Sequence, residues 1–141
     1  MPILRVQIGI WLAILILSAC SPDKPDETQK FYFLESMAQV ENAGRQLQRA
    51  DLKDDEVRQA LAAMDEGIKL AFLVKAEFLD QFDPRLSKNY QRYFVKGVEA
   101  YRLGIEAGDV DGQKSGLQLL SQWANFWNEV RDVITSRMES K

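Results

Sequence analysis

The fold class is decided by residues 116–134, which read GLQLLSQWANFWNEVRDVI. Apolar residues recur there in steps of three and four, a spacing that places them along one face of an α-helix. A half-buried strand would instead alternate polar and apolar residues one by one. The members of this stripe are Gly116, Leu119, Trp123, Phe126, Val130 and Val133, and it is flanked by Leu120, Trp127 and Ile134. The stretch therefore predicts an amphipathic helix whose apolar face meets a core.

Three further stretches carry the same periodicity, over residues 33–47, 57–82 and 90–105. No stretch alternates in the manner of a strand bounded by turn residues. Four helices joined by short links are expected to pack as antiparallel neighbours. The sequence therefore predicts an all-α fold, an antiparallel up-down four-helix bundle over residues 28–139.

Residues with known end preferences separate these stripes. The second helix is expected to end at Asp83-Pro84, and the same pair is expected to open the third helix with Asp83 as its N-cap. Gly108 is expected to close the third helix in a left-handed conformation. Asp109 or Asp111 can then cap the fourth helix.

The N-terminal residues 1–19 carry a single charge, Arg5, ahead of the apolar run Ile8–Leu17. As a helix, this run would be about 15 Å long, half of a bilayer's hydrocarbon thickness of about 30 Å. That length suits the core of a secretory signal peptide better than a transmembrane helix. The alternative is an uncleaved anchor helix, because residues 2–19 could just span a bilayer if tilted.

The only cysteine of the chain, Cys20, closes this segment in the string Leu17-Ser18-Ala19-Cys20. The string resembles the lipobox of bacterial lipoproteins, the motif at which their signal peptide is removed. The resemblance implies that residues 1–19 are cleaved off and that Cys20 becomes the lipidated first residue of the mature protein. Two acyl chains already anchor a protein stably. The membrane partner would thus be reached through acyl chains on Cys20.

Residues 20–27 are predicted to be the lipidated cysteine and a short tether, because Pro22 and Pro25 stand there among charged residues. In lipoproteins of many Gram-negative species, an aspartate after the cysteine retains the protein in the inner membrane. Here that residue is Ser21. The resemblance therefore implies a lipid-anchored protein of the bacterial cell envelope, at the outer membrane and facing the periplasm.

Composition excludes several classes of function. The chain has no histidine, the commonest general base and metal ligand. Its formal net charge of −3 leaves no basic footprint for nucleic acid. The sequence therefore predicts a protein that is not an enzyme, with no metal site, no cofactor and no nucleic-acid partner. The acidic residues within predicted helices are interpreted as a solvated face: Glu66, Glu77, Glu99 and Glu129.

One charged residue, Lys75, falls in the apolar stripe of the predicted second helix, between Ala71 and Phe78. A lysine in such a place usually lays its methylenes on the core and extends its ammonium group into water. The alternative is an amine with a functional role of its own.

The run Phe31-Tyr32-Phe33-Leu34 places four apolar or aromatic residues in succession at the start of the first helix. Successive residues of a helix point about 100° apart, so the four cannot all face one core unless a loop covers a wide buried face. We expect at least one of Phe31 and Tyr32 to lie outside the core, as a candidate interface with the bilayer or with a partner.

These features favour a non-enzymatic, lipid-anchored interaction module in the periplasm, acting as an adaptor, pilot or assembly factor for an envelope complex. Its partners would be the membrane and a protein of the envelope. The alternative is a carrier that binds a lipid or another apolar ligand between the helices. An oversized apolar cavity would favour the carrier, and a fully packed core would count against it.

Overall fold

The computed structural model describes residues 26–140, and every regular element in that range is helical. The predicted all-α class is therefore confirmed. The predicted signal peptide, the lipobox residues Leu17, Ser18 and Ala19, the lipidation site Cys20 and the tether up to residue 25 lie outside the described residues. The elements are α1 (Glu27–Leu47), α2 (Asp54–Leu73), α3 (Ala76–Asp80), α4 (Leu86–Asn89), a π-helical segment (Tyr90–Val95), α5 (Lys96–Ala107) and α6 (Val110–Glu139).

The long helices contact each other mainly in two pairs, α1 with α2 and α5 with α6, and each pair is an antiparallel hairpin. In the first hairpin the start of α1 meets the end of α2, where the Gln29 side-chain amide donates to the carbonyl of Leu73 at 3.0 Å. In the second, α5 and α6 are joined by a tight turn at Gly108, and α5 packs against the first part of α6, where Gly116 meets the backbone of Tyr101. No helix within residues 26–140 has the length and apolar character needed to cross a membrane.

The predicted helix over residues 57–82 is interrupted, and this prediction was wrong. α2 ends at Leu73, Val74 is extended, and Lys75 stands exposed at the N-cap of α3 instead of in an apolar seam. The backbone groups freed at the break are satisfied from another helix. Gln29 of α1 is buried, its Nε2 donates to the carbonyl of Leu73, and its Oε1 accepts the N–H of Lys75 at 2.6 Å.

The third predicted helix begins later than expected and has a wider turn inside it. Asp83 accepts the backbone N–H of Arg85 at 2.8 Å, but α4 starts at Leu86, so Asp83 and Pro84 form a turn before the helix. In the π-helical segment Tyr90 and Val95 are both buried. Residues five apart are related by one turn in a π-helix, whereas an α-helix would direct them to different faces.

The other predicted helix ends are confirmed. Gly108 follows α5 with a φ of 65°, in the left-handed conformation that glycine adopts without steric cost. Asp109 caps α6 by accepting the N–H of Asp111 at 3.1 Å. The first helix begins at Glu27, one residue before its predicted start at 28, because the Asp26 side chain accepts the N–H groups of Thr28 and Gln29.

Aromatic side chains fill the centre of the domain. Tyr90 stacks on Phe94 with ring centroids 5.1 Å apart and meets Phe33 and Trp123 edge to face at 5.2 and 5.6 Å. Phe33 also meets Trp127 at 5.5 Å. Trp123 is 6% exposed, which confirms the expectation that it is buried. This cluster ties α1, the π-helical segment and α6 together.

The phenol of Tyr90 donates a buried hydrogen bond. Ser36 Oγ lies 2.7 Å from the carbonyl of Phe33 and must donate to it, so the 2.5 Å contact between Tyr90 and Ser36 has the phenol as donor. Burial raises the pKa of Tyr90. The native state therefore favours the neutral phenol. This stabilisation is complete below the unfolded-state pKa of about 10 and is lost as pH rises through the higher native value.

We expect Tyr90→Phe to remove this pH dependence and to cost about 0.5–1.5 kcal/mol at neutral pH, the worth of one hydrogen bond. Urea denaturation of the wild type and the variant between pH 7 and pH 11 measures the difference between their midpoints. That difference should shrink above pH 10. The control is Tyr93→Phe, at a half-buried ring. If the Tyr90→Phe variant and the wild type lost stability equally as the pH rises above 10, the buried phenol of Tyr90 would not be the source of this pH dependence.

Candidate functional site

A groove of about 620 Å³ runs between α1 and α6. It forms because these two helices do not belong to the same hairpin. Its floor consists of Val40, Phe94, Trp123 and Trp127. Its α1 wall consists of Leu34, Met37, Ala38 and Glu41, and its α6 wall of Leu120, Ala124, Asn128, Arg131 and Thr135.

Differences in side-chain size explain why the gap lies here. Gly67 brings α2 against α1, and Gly97 and Gly116 bring α5 and α6 together, so the hairpins pack closely. The facing sides of α1 and α6 instead carry Phe33 and Trp127, whose rings meet edge to face and fill the space below the groove. The start of α1 and the end of α6 are joined by Lys30, whose Nζ donates to the carbonyl of Met138 at 3.3 Å.

The groove has a rigid aromatic floor. Trp123 and Trp127 are stacked with centroids 5.6 Å apart and an interplanar angle of 12°, and Phe94 lies 5.7 Å from Trp123. Val40 and Trp123 are only 7% and 6% exposed, so the floor is the outer surface of the packed core. Ala38 and Ala124 on the walls are exposed, so the groove is open to solvent along one side.

The rim of the groove is polar and carries one charge of each sign. Glu41 on α1 accepts from Arg45 at 2.9 Å, and Arg131 on α6 lies 3.2 Å from Asp132. All four side chains are more than half exposed, and such pairs contribute little stability. Glu41 and Arg131 can therefore exchange these partners for groups on another molecule at small cost. An apolar centre within a polar rim is the usual anatomy of a protein interface.

Several acidic residues of the domain serve as helix caps or surface ion pairs, among them Asp26, Asp109, Glu66 and Glu129. The Arg85 guanidinium holds the pKa of Asp83 below its usual range, and a hydrogen bond from the backbone of Lys53 lowers the pKa of Glu56. Neither residue lines the groove. Within residues 26–140, no three histidine, cysteine or carboxylate side chains lie close enough together to bind a metal ion.

The two candidate interface residues of α1, Phe31 and Tyr32, differ in how far they are exposed to solvent. Phe31 is 56% exposed, whereas Tyr32 is partly buried and packs against the core. The structure adds Phe72 and Leu73 at the end of α2, which are 61% and 51% exposed. They lie near the start of α1, because Gln29 binds the Leu73 carbonyl. We call this end of the domain, where α1 begins and α2 ends, the tether end.

Sequence reasoning did not identify the groove or the exposed end of α2. The sequence predicts one continuous helix through Phe72 and Leu73, so it gives neither residue a distinguishing signal. The groove did leave a signal, because Leu120 and Trp127 flank the main stripe of α6. When the apolar face of a helix is wider than a single neighbouring helix can cover, the remaining part of that face either packs against a second neighbour or is open to solvent.

No protein-family model matches this chain, and comparison with curated proteins and with solved structures gave no significant match. Function is therefore inferred from the groove, from the exposed residues of the tether end and from the N-terminal sequence.

Proposed function

We propose that this protein is a non-enzymatic, lipid-anchored interaction module of the bacterial envelope, acting as an adaptor, pilot or assembly factor. The domain works as an antiparallel up-down four-helix bundle in which residues 86–107 serve as the third helix. The observation that carries the proposal is the open groove between α1 and α6. It combines a rigid aromatic floor, which suits binding hot spots, with a polar rim.

The lipid anchor rests on the string Leu17-Ser18-Ala19-Cys20. From Cys20 to Asp26 an extended chain reaches about 20 Å, so the tether end stays close to the membrane surface. Phe31 is exposed at that end and is proposed to contact the bilayer interface or a partner, together with the accessible part of Tyr32. Ser21 after the cysteine supports an outer-membrane location facing the periplasm.

Lipidation predicts that Cys20→Ser abolishes acylation and leaves residues 1–19 attached. The variant should gain no acyl mass and keep the mass of residues 1–19, because no other cysteine can accept the lipid. Intact mass spectrometry of the wild type and the variant, purified from cells, measures both effects. Ser18→Thr, which keeps the cysteine, is the matched control and should still be acylated. A wild-type protein whose Cys20 is a free thiol would contradict the proposal.

The groove is tested by site-specific photocrosslinking in intact cells. A photoreactive amino acid replaces Ala38 or Ala124 on the groove walls, and Ala107, exposed at the end of α5, is the control position. The proposal predicts protein adducts from both groove positions and none from position 107. Equal adducts at all three positions, or none at the groove, would contradict it.

The second candidate function is a carrier of an apolar ligand, which the apolar floor of the groove favours. It makes a different prediction for the same experiment, because the groove positions would then form adducts with lipid in place of protein. Mass spectrometry of the adducts separates the two functions.

A further inference from the structure

Gly44 is the one glycine of the described residues that the fold does not explain. It lies inside α1 with a negative φ, and a Cβ added there would meet no atom within 4 Å. Glycine within a helix is less stable than alanine, so folding alone disfavours it here. The other glycines have reasons. Gly108 has a positive φ, and an added Cβ would approach a neighbouring atom to 3.0 Å or less at Gly67, Gly97, Gly104, Gly112 and Gly116.

Gly44 lies on the groove side of α1. It follows Glu41 by three residues, Val40 by four and Met37 by seven, and all three line the groove. These intervals place Gly44 on the same face, one turn further along. Gly44 itself does not line the groove, but the open space beside it is in line with the groove's α1 wall.

The opposite wall continues in the same direction. Leu117 precedes Ala124 by seven residues, so it lies two turns further along the same face of α6, and it is 49% exposed. Because α1 and α6 run antiparallel, Gly44 and Leu117 both lie toward the same end of the groove, the end where α1 finishes and α6 starts. An apolar track therefore extends from Leu34 to Gly44, about 15 Å along α1.

We propose that this track binds an amphipathic α-helix of a partner protein, seated lengthwise against Gly44. The inference rests on the proposed function and names the kind of partner. Three turns of a helix match the length of the track. Helices pack with axes about 8–10 Å apart, and small residues on the walls permit that approach. Gly44 and Ala38 are the small residues that permit this close approach on α1, and Ala124 is the one on α6.

The two charged residues of the groove rim predict which charges the partner helix carries on its two sides. Glu41 stands on the α1 wall and Arg131 on the α6 wall, on opposite sides of the apolar floor. A helix with apolar residues at intervals of three and four, a basic residue on the edge facing α1 and an acidic residue on the edge facing α6 would satisfy both. An acyl chain has no charged group to pair with either residue, and Glu41 and Arg131 would then keep their present partners Arg45 and Asp132.

The test combines a blocking substitution with the photocrosslinker at Ala124. Gly44→Leu fills the track, and Ala107→Leu is the control at an exposed alanine away from it. We expect Gly44→Leu to reduce the protein adduct at least tenfold in intact cells, and Ala107→Leu to leave it unchanged. The full-length lipidated Gly44→Leu protein should melt at or above the wild-type temperature, because a Cβ at position 44 has open space around it and leucine favours the helix over glycine.

The identity of the crosslinked partner residues provides the second measurement. Adducts from Ala38 and Ala124 should map to one partner segment, at residues separated by three, four or seven positions. Charge reversal by Arg131→Glu should weaken the adduct, and an acidic-to-basic change in that segment should restore it. Unchanged adducts in Gly44→Leu, scattered partner residues or a lower melting temperature would overturn the inference while leaving the proposed function standing. Absence of protein adducts in the wild type would overturn both.

Discussion

Replacing Gly116 by alanine is expected to lower the free energy of unfolding by about 3 kcal/mol or more, the upper end of the range for overpacked sites. The added Cβ would lie 2.7 Å from the Cα of Tyr101 and 2.8 Å from the carbonyl oxygen of Gly97, and it would press most closely on the backbone nitrogen of Tyr101. These atoms belong to the backbone of α5, so relief requires moving the helix. Urea denaturation of the full-length protein followed by circular dichroism measures the loss.

Gly44→Ala is the matched control, because it adds the same methyl group within a long helix where no atom lies within 4 Å. It should raise the free energy of unfolding by about 0.5–1 kcal/mol through the difference in helix propensity. The two substitutions are thus expected to have opposite signs. A Gly116→Ala protein as stable as the wild type would show that α5 and α6 are not in close contact.

Trp123→Ala is expected to cost about 3–5 kcal/mol, the range for truncating a large buried aromatic side chain. The ring meets Tyr90, Phe94, Phe126 and Trp127 at centroid distances between 5.6 and 5.9 Å, so its removal disturbs the centre of the aromatic cluster. A loss of this size is a large part of the stability of a small domain. Thermal unfolding monitored by circular dichroism would show it as a strongly lowered melting temperature.

Phe31→Ala is the control for this prediction, because its ring is 56% exposed. Substitutions at exposed positions usually change the free energy of unfolding by no more than about 0.5 kcal/mol. If Phe31→Ala destabilised the protein as much as Trp123→Ala, the ring would belong to the core and the proposed interface at the tether end would be wrong.

The helical class and several helix ends could be predicted from the sequence because they depend on neighbouring residues. The stripe of α6 recurs every three to four residues, and only a helix brings such residues to one face. Gly108 and Asp109 end one helix and start the next through their own backbone and side-chain chemistry. The rotation between successive residues similarly predicted that at least one of Phe31 and Tyr32 lies outside the core, and the structure shows that Phe31 does.

The break after α2 could not be predicted in this way. The residues between Leu73 and Ala76 contain neither proline nor glycine, and the apolar period continues through them to Phe82. The backbone leaves the helix there because Gln29, 44 residues before Leu73, supplies one donor and one acceptor to the interrupted chain. Such an interaction exists only once α1 and α2 have packed together.

By itself, the sequence determined that the domain is all helical, where α5 ends and α6 begins, and that most of the apolar stripe of α6 faces inward, since each of these follows from interactions within a few turns. Val133 is the exception in that stripe, because it is 55% exposed. It also carries the lipoprotein-like string that motivates the anchor at Cys20. Only the tertiary structure decided that α1 and α6 stand apart to leave a groove, and that Gly44 borders open space. The width of that groove is set by glycines in the two hairpins and by tryptophans between them, residues distant in sequence whose sizes matter only when the helices meet.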